Sequence, residues 1–292
     1  GIDPVREELE IEHGRGCAQL PDDEAYARDK GAGEVAQDGI GEPSVTLSIR
    51  QAVEQGHEEH GHQSEADPVK PARRTGGRRR RGEDYSPPLS WVTDLRGKIP
   101  QVAVKVGPAI PEQDLPTDCE VEFVSSGGQC REGVLYFGAL ATTSRRATLL
   151  PARHTLEAAA GPEIAVAPPG AYVFDPDPAV VRSHLLDELA RQINAWKLDP
   201  HIAYLSGDDS VDSPFVRRYR LIRWQPFQLK KLRQTLRDEG LYPRDIKKRG
   251  FPLEPPELQR RLGLKPGGRP ATLLLTRLGE KPEVLICELE GN

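Results

Sequence analysis

The chain has 292 residues, with 40 Lys and Arg against 45 Asp and Glu for a formal net charge of −5, and a mean hydropathy of −0.57. That length allows two domains with separate cores, while a hydrophobic content of 37% leaves part of the chain to contribute little to either. No run approaches the roughly 18 apolar residues of a transmembrane helix, and GIDPVREELEIEH lacks the apolar stretch of a secretory signal, so the sequence predicts no membrane partner and a cytoplasmic location.

Residues 1–66 carry sixteen acids and five Lys or Arg, and Tyr26 is their one aromatic residue. VREELEI and SVTLSIRQAVEQ could form short elements, but apolar residues are too sparse for a core, so the segment is expected to be mostly disordered. GAGEVAQDGIGEP has glycines without the strand and helix that a phosphate loop requires. His57, His60 and His62 stand in HEEHGH, whose first two histidines are three residues apart rather than the four of HExxH. Cys17, Cys119, Cys130 and Cys287 form no CxxC pair and point to buried or free thiols. No metal site is expected. The chain contains no methionine, which suggests a fragment or a start lost from the reading frame.

The charge then changes sign. Lys70, Arg73, Arg74 and Arg78 to Arg81 form a cationic run of the kind that lies along phosphates or simply loops into water. From Gln101 the pattern predicts strands at QVAVKV, EVEFVSS, GVLYFGA and RATLLPA, with GGQCREG as a hairpin connection between the second and third. Residues 155–170 read as a linker ending at Pro168-Pro169-Gly170. AYVFDP is a short strand, and Asp177 with Pro178 opens a helix expected to run through to Leu198, burying Val181, Leu185, Leu189, Ile193 and Trp196.

IAYL and FVRRYRLIRW are strand candidates, and PFQLKKLRQTLRDEG is an amphipathic helix starting near Pro226 and stopped by Gly240. A strand at DIKKRG, a helix over PPELQRRLGL and a hairpin of ATLLLTRL and EVLICEL complete an α+β domain. Between Pro214 and Gly250 stand twelve Lys or Arg against three acids, interleaved with Phe215, Tyr219, Trp224, Phe227 and Tyr242. That mixture can hold phosphates and stack bases, or be a solvated face over core aromatics. Asp208, Asp209 and Asp212 ahead of Ser213-Pro214 are expected to cap a turn.

Several of these stretches, in this order, resemble one family. DPHIAYLSGDDSVDSPFVRRYRLIRWQPFQLKKLRQTLRDEG, IKKRG and ATLLLTRLGEKP look like the THUMP-like domain at the C-terminus of bacterial class I S-adenosylmethionine-dependent methyltransferases. PARRTGGRRR, EDYSPPLSW, VAVKVGPAI, EFVSSGGQCREGVLYFG and RRATLL resemble the second half of that family's methyltransferase domain. The resemblance implies a partial Rossmann-like α/β sheet followed by an α+β THUMP-like domain. Its expected divisions are 1–66 (acidic), 67–154 (methyltransferase-like), 155–170 (linker) and 171–292 (THUMP-like).

It also implies S-adenosylmethionine as cofactor and RNA, such as tRNA, as partner. RNA contacts are expected at Arg217, Arg218, Arg220, Arg223, Lys230, Lys231, Arg233, Lys247, Lys248 and Arg249. Where the family reads DPARR after its fourth strand, this chain reads Lys70-Pro71-Ala72-Arg73-Arg74, a cation in place of the carboxylate, with Tyr85, Pro87 and Pro88 shaping a nearby loop or rigid turn. The family's glycine-rich first loop has no counterpart in 1–66. These departures set a non-catalytic RNA-binding module or inactive fragment beside the methyltransferase reading; no catalytic residue is assigned.

Overall fold

The computed structural model of the chain describes residues 44–48, 50–51, 82, 85–86 and 88–290. Two compact units divide the chain: Gly1–Glu120 with Gly133–Thr142, and Val121–Glu132 with Thr143–Asn292. The division runs through two strands, after Glu120 and after Glu132.

The first unit opens with strands β1 (Ser44–Ser48), β2 (Arg50–Gln51) and β3 (Tyr85–Ser86), then helix α1 (Leu89–Arg96) and β4 (Gln101–Val106). β1 lies in SVTLSIRQAVEQ, one of the two stretches read as able to form an element; the other, VREELEI, lies outside the described residues. It runs parallel to β4, with Ser44 opposite Gln101, while β2 pairs antiparallel with β3. In β4 the residues Val102, Ala103, Val104 and Val106 are buried, the near-continuous apolar run of a strand covered on both faces. β5 (Glu120–Ser126) and β6 (Gln129–Tyr136) follow as the expected hairpin, but the connection is only Gly127-Gly128 rather than GGQCREG, because Gln129 to Gly133 already belong to β6. The far end of β6 pairs antiparallel with β4, Ala103 opposite Tyr136. Arg96, in the last turn of α1, bonds Asp118 at 2.7 Å and lies over the Phe137 ring at 4.3 Å.

The second unit contains most of β5 and the start of β6, then β7 (Arg145–Leu150) parallel to β5 and β8 (His154–Glu157) antiparallel to β7. A seven-stranded sheet follows. Its strands are β9 (Tyr172–Pro176), β10 (Trp196–Asp199), β11 (Ile202–Gly207), β12 (Val216–Pro226), β13 (Leu241–Lys248), β14 (Arg269–Leu278) and β15 (Lys281–Glu290), in the order β10-β11-β9-β12-β15-β14-β13. Every neighbouring pair is antiparallel except β13 with β14.

The expected long helix after Asp177 is two short ones, α2 (Pro178–Arg182) and α3 (Leu186–Gln192). Asp177 caps α2 as read, accepting a hydrogen bond from the Ala179 N–H at 2.8 Å. The break has a tertiary cause: buried Ser183 donates to the Arg146 carbonyl on β7 at 2.6 Å, and His184 turns the chain at φ 57°. Leu185, Leu189 and Ile193 are buried as expected, but Trp196 begins a strand.

The stretch read as a linker is bonded along its length to this unit. Arg191 donates to the carbonyls of Ala159 and Pro162, Lys197 exchanges backbone bonds with Ala165 and Ala167, and the Trp196 indole donates to the Pro168 carbonyl.

The sheet is covered on both faces. α4 (Leu229–Asp238) and α5 (Pro255–Leu262) set Leu232, Leu236, Leu258 and Leu262 against Leu273, Leu275, Val284 and Ile286. The expected start near Pro226 lies three residues early, because Pro226 still pairs with Glu283 in the sheet. Leu274, Leu285 and Cys287 point to the opposite face, where Tyr204, Tyr219, Val173, Leu198 and Ile202 join them. Burying about one leucine side chain contributes roughly 1.5–3 kcal/mol, so the unbroken run Ala271 to Thr276 anchors both layers.

Candidate nucleic-acid interface

The ten cations expected to contact RNA separate into two groups. Arg217, Lys230 and Lys231 are exposed, and none makes a salt bridge or hydrogen bond with a described residue. The other seven are engaged within the fold. Arg218 and Arg220 face Glu290 at 3.4 Å each, and Arg220 also bonds Glu288. Arg223 bonds Glu239 at 2.7 Å, Lys248 bonds Glu254, and Arg233 donates to the Arg261 carbonyl. These pairs are mostly half-exposed and each contributes about 0–1 kcal/mol. Their cost to RNA binding is that a phosphate must compete with a carboxylate already in place.

Lys247 and Arg249 converge on one carboxylate. Asp175, at the end of β9, accepts from Lys247 Nζ at 2.7 Å and from Arg249 Nη2 at 2.8 Å. Behind them the Lys247 ammonium lies 5.5 Å from the Tyr219 ring centre and the Arg249 guanidinium 5.1 Å from that of Tyr204. Burial pushes both phenols above the usual tyrosine range, and the Asp175 charge adds to the shift. Burial works against the Lys247 charge, but Asp175 and Tyr219 together outweigh it and hold the ammonium above the usual lysine range.

The same group borders a cavity of about 440 Å³. One wall comes from the carboxyl ends of the parallel strands β5 and β7, with Ser125 on the first and Leu149, Leu150 and Pro151 on and after the second. The other comes from β12 and β13 through Arg217, Lys247 and Arg249, with Asp175 to Pro178 between. Gly128 lies here at φ +71°, the left-handed region that favours glycine, and a Cβ at that position would stand 3.2 Å from Arg217 Nη2. Cys130, on the same hairpin, is pushed up to about 11 by burial.

Lys70, Pro71, Ala72, Arg73, Arg74 and Pro87 lie outside the described residues, as do the three histidines of HEEHGH and Cys17. Tyr85 is buried in β3, and Pro88 precedes α1 at its N-cap, with Trp91 donating to its carbonyl at 3.0 Å. Asp208 holds the Ala171 N–H at 3.3 Å, which ties the turn after β11 to the start of β9. The residues missed by sequence reasoning are Asp175 and Ser125. Sequence reasoning takes Asp175 only as the end of a strand; its nearest signal is its place in Asp175-Pro176-Asp177-Pro178, and no local pattern reveals cations more than seventy positions away.

Comparison with known proteins agrees with this architecture. Residues 216–289 match the family model described as THUMP domain-like. Over 218 residues the chain is 36% identical to two uncharacterized S-adenosylmethionine-dependent methyltransferases of Mycobacterium tuberculosis, strains CDC 1551 / Oshkosh and ATCC 25618 / H37Rv. That match covers 72% of this chain and 60% of each relative, so the chain spans about three-fifths of the length of the curated relatives it matches. The fold is also that of a crystal structure from Porphyromonas gingivalis W83 assigned to the methyltransferases, with a TM-score of 0.58 at 20% identity, over 73% of this chain and 57% of that one. The chain is thus similar to S-adenosylmethionine-dependent methyltransferases, with a THUMP-like module at residues 216–289.

Proposed function

We propose that this protein is an RNA-directed member of the S-adenosylmethionine-dependent methyltransferases whose THUMP-like module grips the RNA. One observation carries the RNA part: Arg217, Lys230 and Lys231 are exposed and make no salt bridge or hydrogen bond with a described residue, on a module of a type associated with RNA. Unpaired surface cations release the condensed counterions of a nucleic acid when they meet its phosphates, which is the main source of sequence-independent affinity. No helix among the described residues is long and apolar enough to cross a membrane, and we place the protein in the cytoplasm with its RNA.

The described residues do not themselves fit the methyl donor. At the carboxyl end of β4 the chain continues as Gly107-Pro108-Ala109-Ile110, which offers no carboxylate for ribose hydroxyls. A second reading, an RNA-binding module without transfer activity, is favoured by Lys70 standing where the resemblance expects an acid.

Calorimetric titration of S-adenosylmethionine into the full chain separates the two readings. Micromolar binding supports the enzyme, and a flat titration with a folded circular-dichroism spectrum supports the binding module. Both readings require structured RNA, tRNA first, to bind with an affinity that falls steeply between about 50 and 200 mM salt. Salt-independent binding, or none, removes RNA as the partner.

A further inference from the structure

We propose that the cavity between the β5–β7 strand ends and the β12–β13 cations is a binding site for one ribonucleotide unit, held by its phosphate. The proposal rests on the reading of RNA as partner and adds to it a defined pocket in place of a diffuse basic surface.

Three independent observations support the site. The first is place: β5 and β7 run parallel, and the cavity opens outside their carboxyl ends, where open α/β sheets bind ligands. Its volume of about 440 Å³ lies within the range of about 300–1,000 Å³ usual for small-molecule sites. The second is charge. Arg217, Lys247 and Arg249 line it against the carboxylates of Asp175 and Asp177. Asp175 is already engaged by Lys247 and Arg249, and Asp177 by the Ala179 N–H. Arg217 has no such engagement with a described residue, and Gly128 leaves its guanidinium unobstructed on the hairpin side.

The third is an orphaned hydroxyl. Ser125 is 1% exposed, lines the cavity, and its Oγ has no hydrogen-bond partner among the described residues. A buried hydroxyl left unpaired costs roughly 1–3 kcal/mol, so its presence calls for a ligand group that completes it. A ribose hydroxyl or a phosphate oxygen does so. Leu149, Leu150 and Pro151 supply the apolar wall on which a ribose and base edge can rest. Arg217 provides the two parallel donors that a phosphate accepts.

The test is calorimetric titration of the full chain with the four ribonucleoside 5′-monophosphates, the corresponding nucleosides, and inorganic phosphate. At least one monophosphate is expected to bind tenfold or more tightly than both its nucleoside and phosphate. Arg217→Glu is expected to weaken that binding at least tenfold, and Ser125→Ala about fivefold, with Ser125→Ala unfolding at the same urea concentration as the native chain or higher. Arg237→Glu, on the exposed last turn of α4, is expected to change nothing. Equal binding of nucleoside and monophosphate, binding of phosphate alone as tightly, or native affinity in Arg217→Glu each overturns the proposal.

Structured RNA, titrated in parallel, keeps the two ideas separate. RNA that binds the native chain and Arg217→Glu equally leaves the RNA reading standing and removes the pocket. Monophosphates that bind through Arg217 while RNA does not bind remove the RNA reading and keep the pocket.

Discussion

Lys247 on β13 bonds Asp175 on β9 at 2.7 Å, although β12, β15 and β14 stand between them in the sheet order. Flat strands at about 4.8 Å spacing would hold β9 and β13 roughly 19 Å apart, far beyond the reach of a lysine and an aspartate. The sheet therefore curls until its edge meets its middle. Tyr204, Tyr219, Leu274, Leu285 and Cys287 fill the concave side, and the ion pair closes the rim. A second link does the same at another corner, where Asp199 accepts from the Gly279 N–H at 2.9 Å.

Asp175→Asn leaves two cations facing each other without a carboxylate. Removing one partner of a buried pair costs about 3–5 kcal/mol. Lys247 and Arg249 retain side-chain exposures of 24% and 28%, so water offsets part of the loss and about 2 kcal/mol is expected. Urea unfolding measures it. A change under about 0.5 kcal/mol, the range of ordinary surface substitutions, would show that the rim is not held by this pair.

Alkaline solution should open the same rim. The Lys247 ammonium and the Tyr204 and Tyr219 phenols all have folded-state values above their ordinary ones. Each therefore contributes stability that is complete below the unfolded value, about 10 for tyrosine and 10.4 for lysine, and is lost as the pH rises through the folded value. The urea midpoint is expected to hold through neutral pH and to fall above about pH 10. Tyr219→Phe should flatten that fall, and a midpoint unchanged at about pH 11 contradicts the assignment.

For RNA, the exposed and the paired cations should behave differently. The double variant Lys230→Glu with Lys231→Glu should weaken binding of structured RNA and lower the salt slope by about 1 for each phosphate that is no longer neutralised. Arg220→Ala, whose guanidinium faces Glu288 and Glu290, should change the slope by less. Filter binding across a salt series distinguishes them, and equal effects would mean that the ion pairs open on binding.

Gly268 holds two backbone segments together and is not a hinge. A Cβ there would stand 2.3 Å from the Gly240 carbonyl oxygen, and φ is +84°. Arg269 N–H bonds that same carbonyl at 2.9 Å, which fixes the start of β14 against the end of α4. Gly268→Ala is expected to cost about 2–3 kcal/mol, read as a shifted thermal midpoint.

What the sequence shows and what it hides follows from the range of each interaction. The strands β4, β5, β7, β9, β12, β14 and β15 and the helices α4 and α5 are legible because alternation, apolar runs and caps are local signals. The break between α2 and α3 is not, because Ser183 answers to Arg146, 37 residues away. The cations of β13 are legible as charge, but not as partners of Asp175, which lies 72 and 74 residues earlier in the chain. The orphaned Ser125 hydroxyl leaves no mark in composition at all. It becomes visible only when β5 and β7 are set side by side.

β13 is one of the two outer strands of its sheet, and it carries Pro243, Arg244, Lys247 and Lys248. An outer strand is a template for any other chain with free backbone groups, and cations and proline are what discourage such pairing. The residues that hold the rim thus also keep the molecule apart from its own copies. Neutralising Arg244 and Lys248 together should first appear as concentration-dependent turbidity, before any change in what the protein binds.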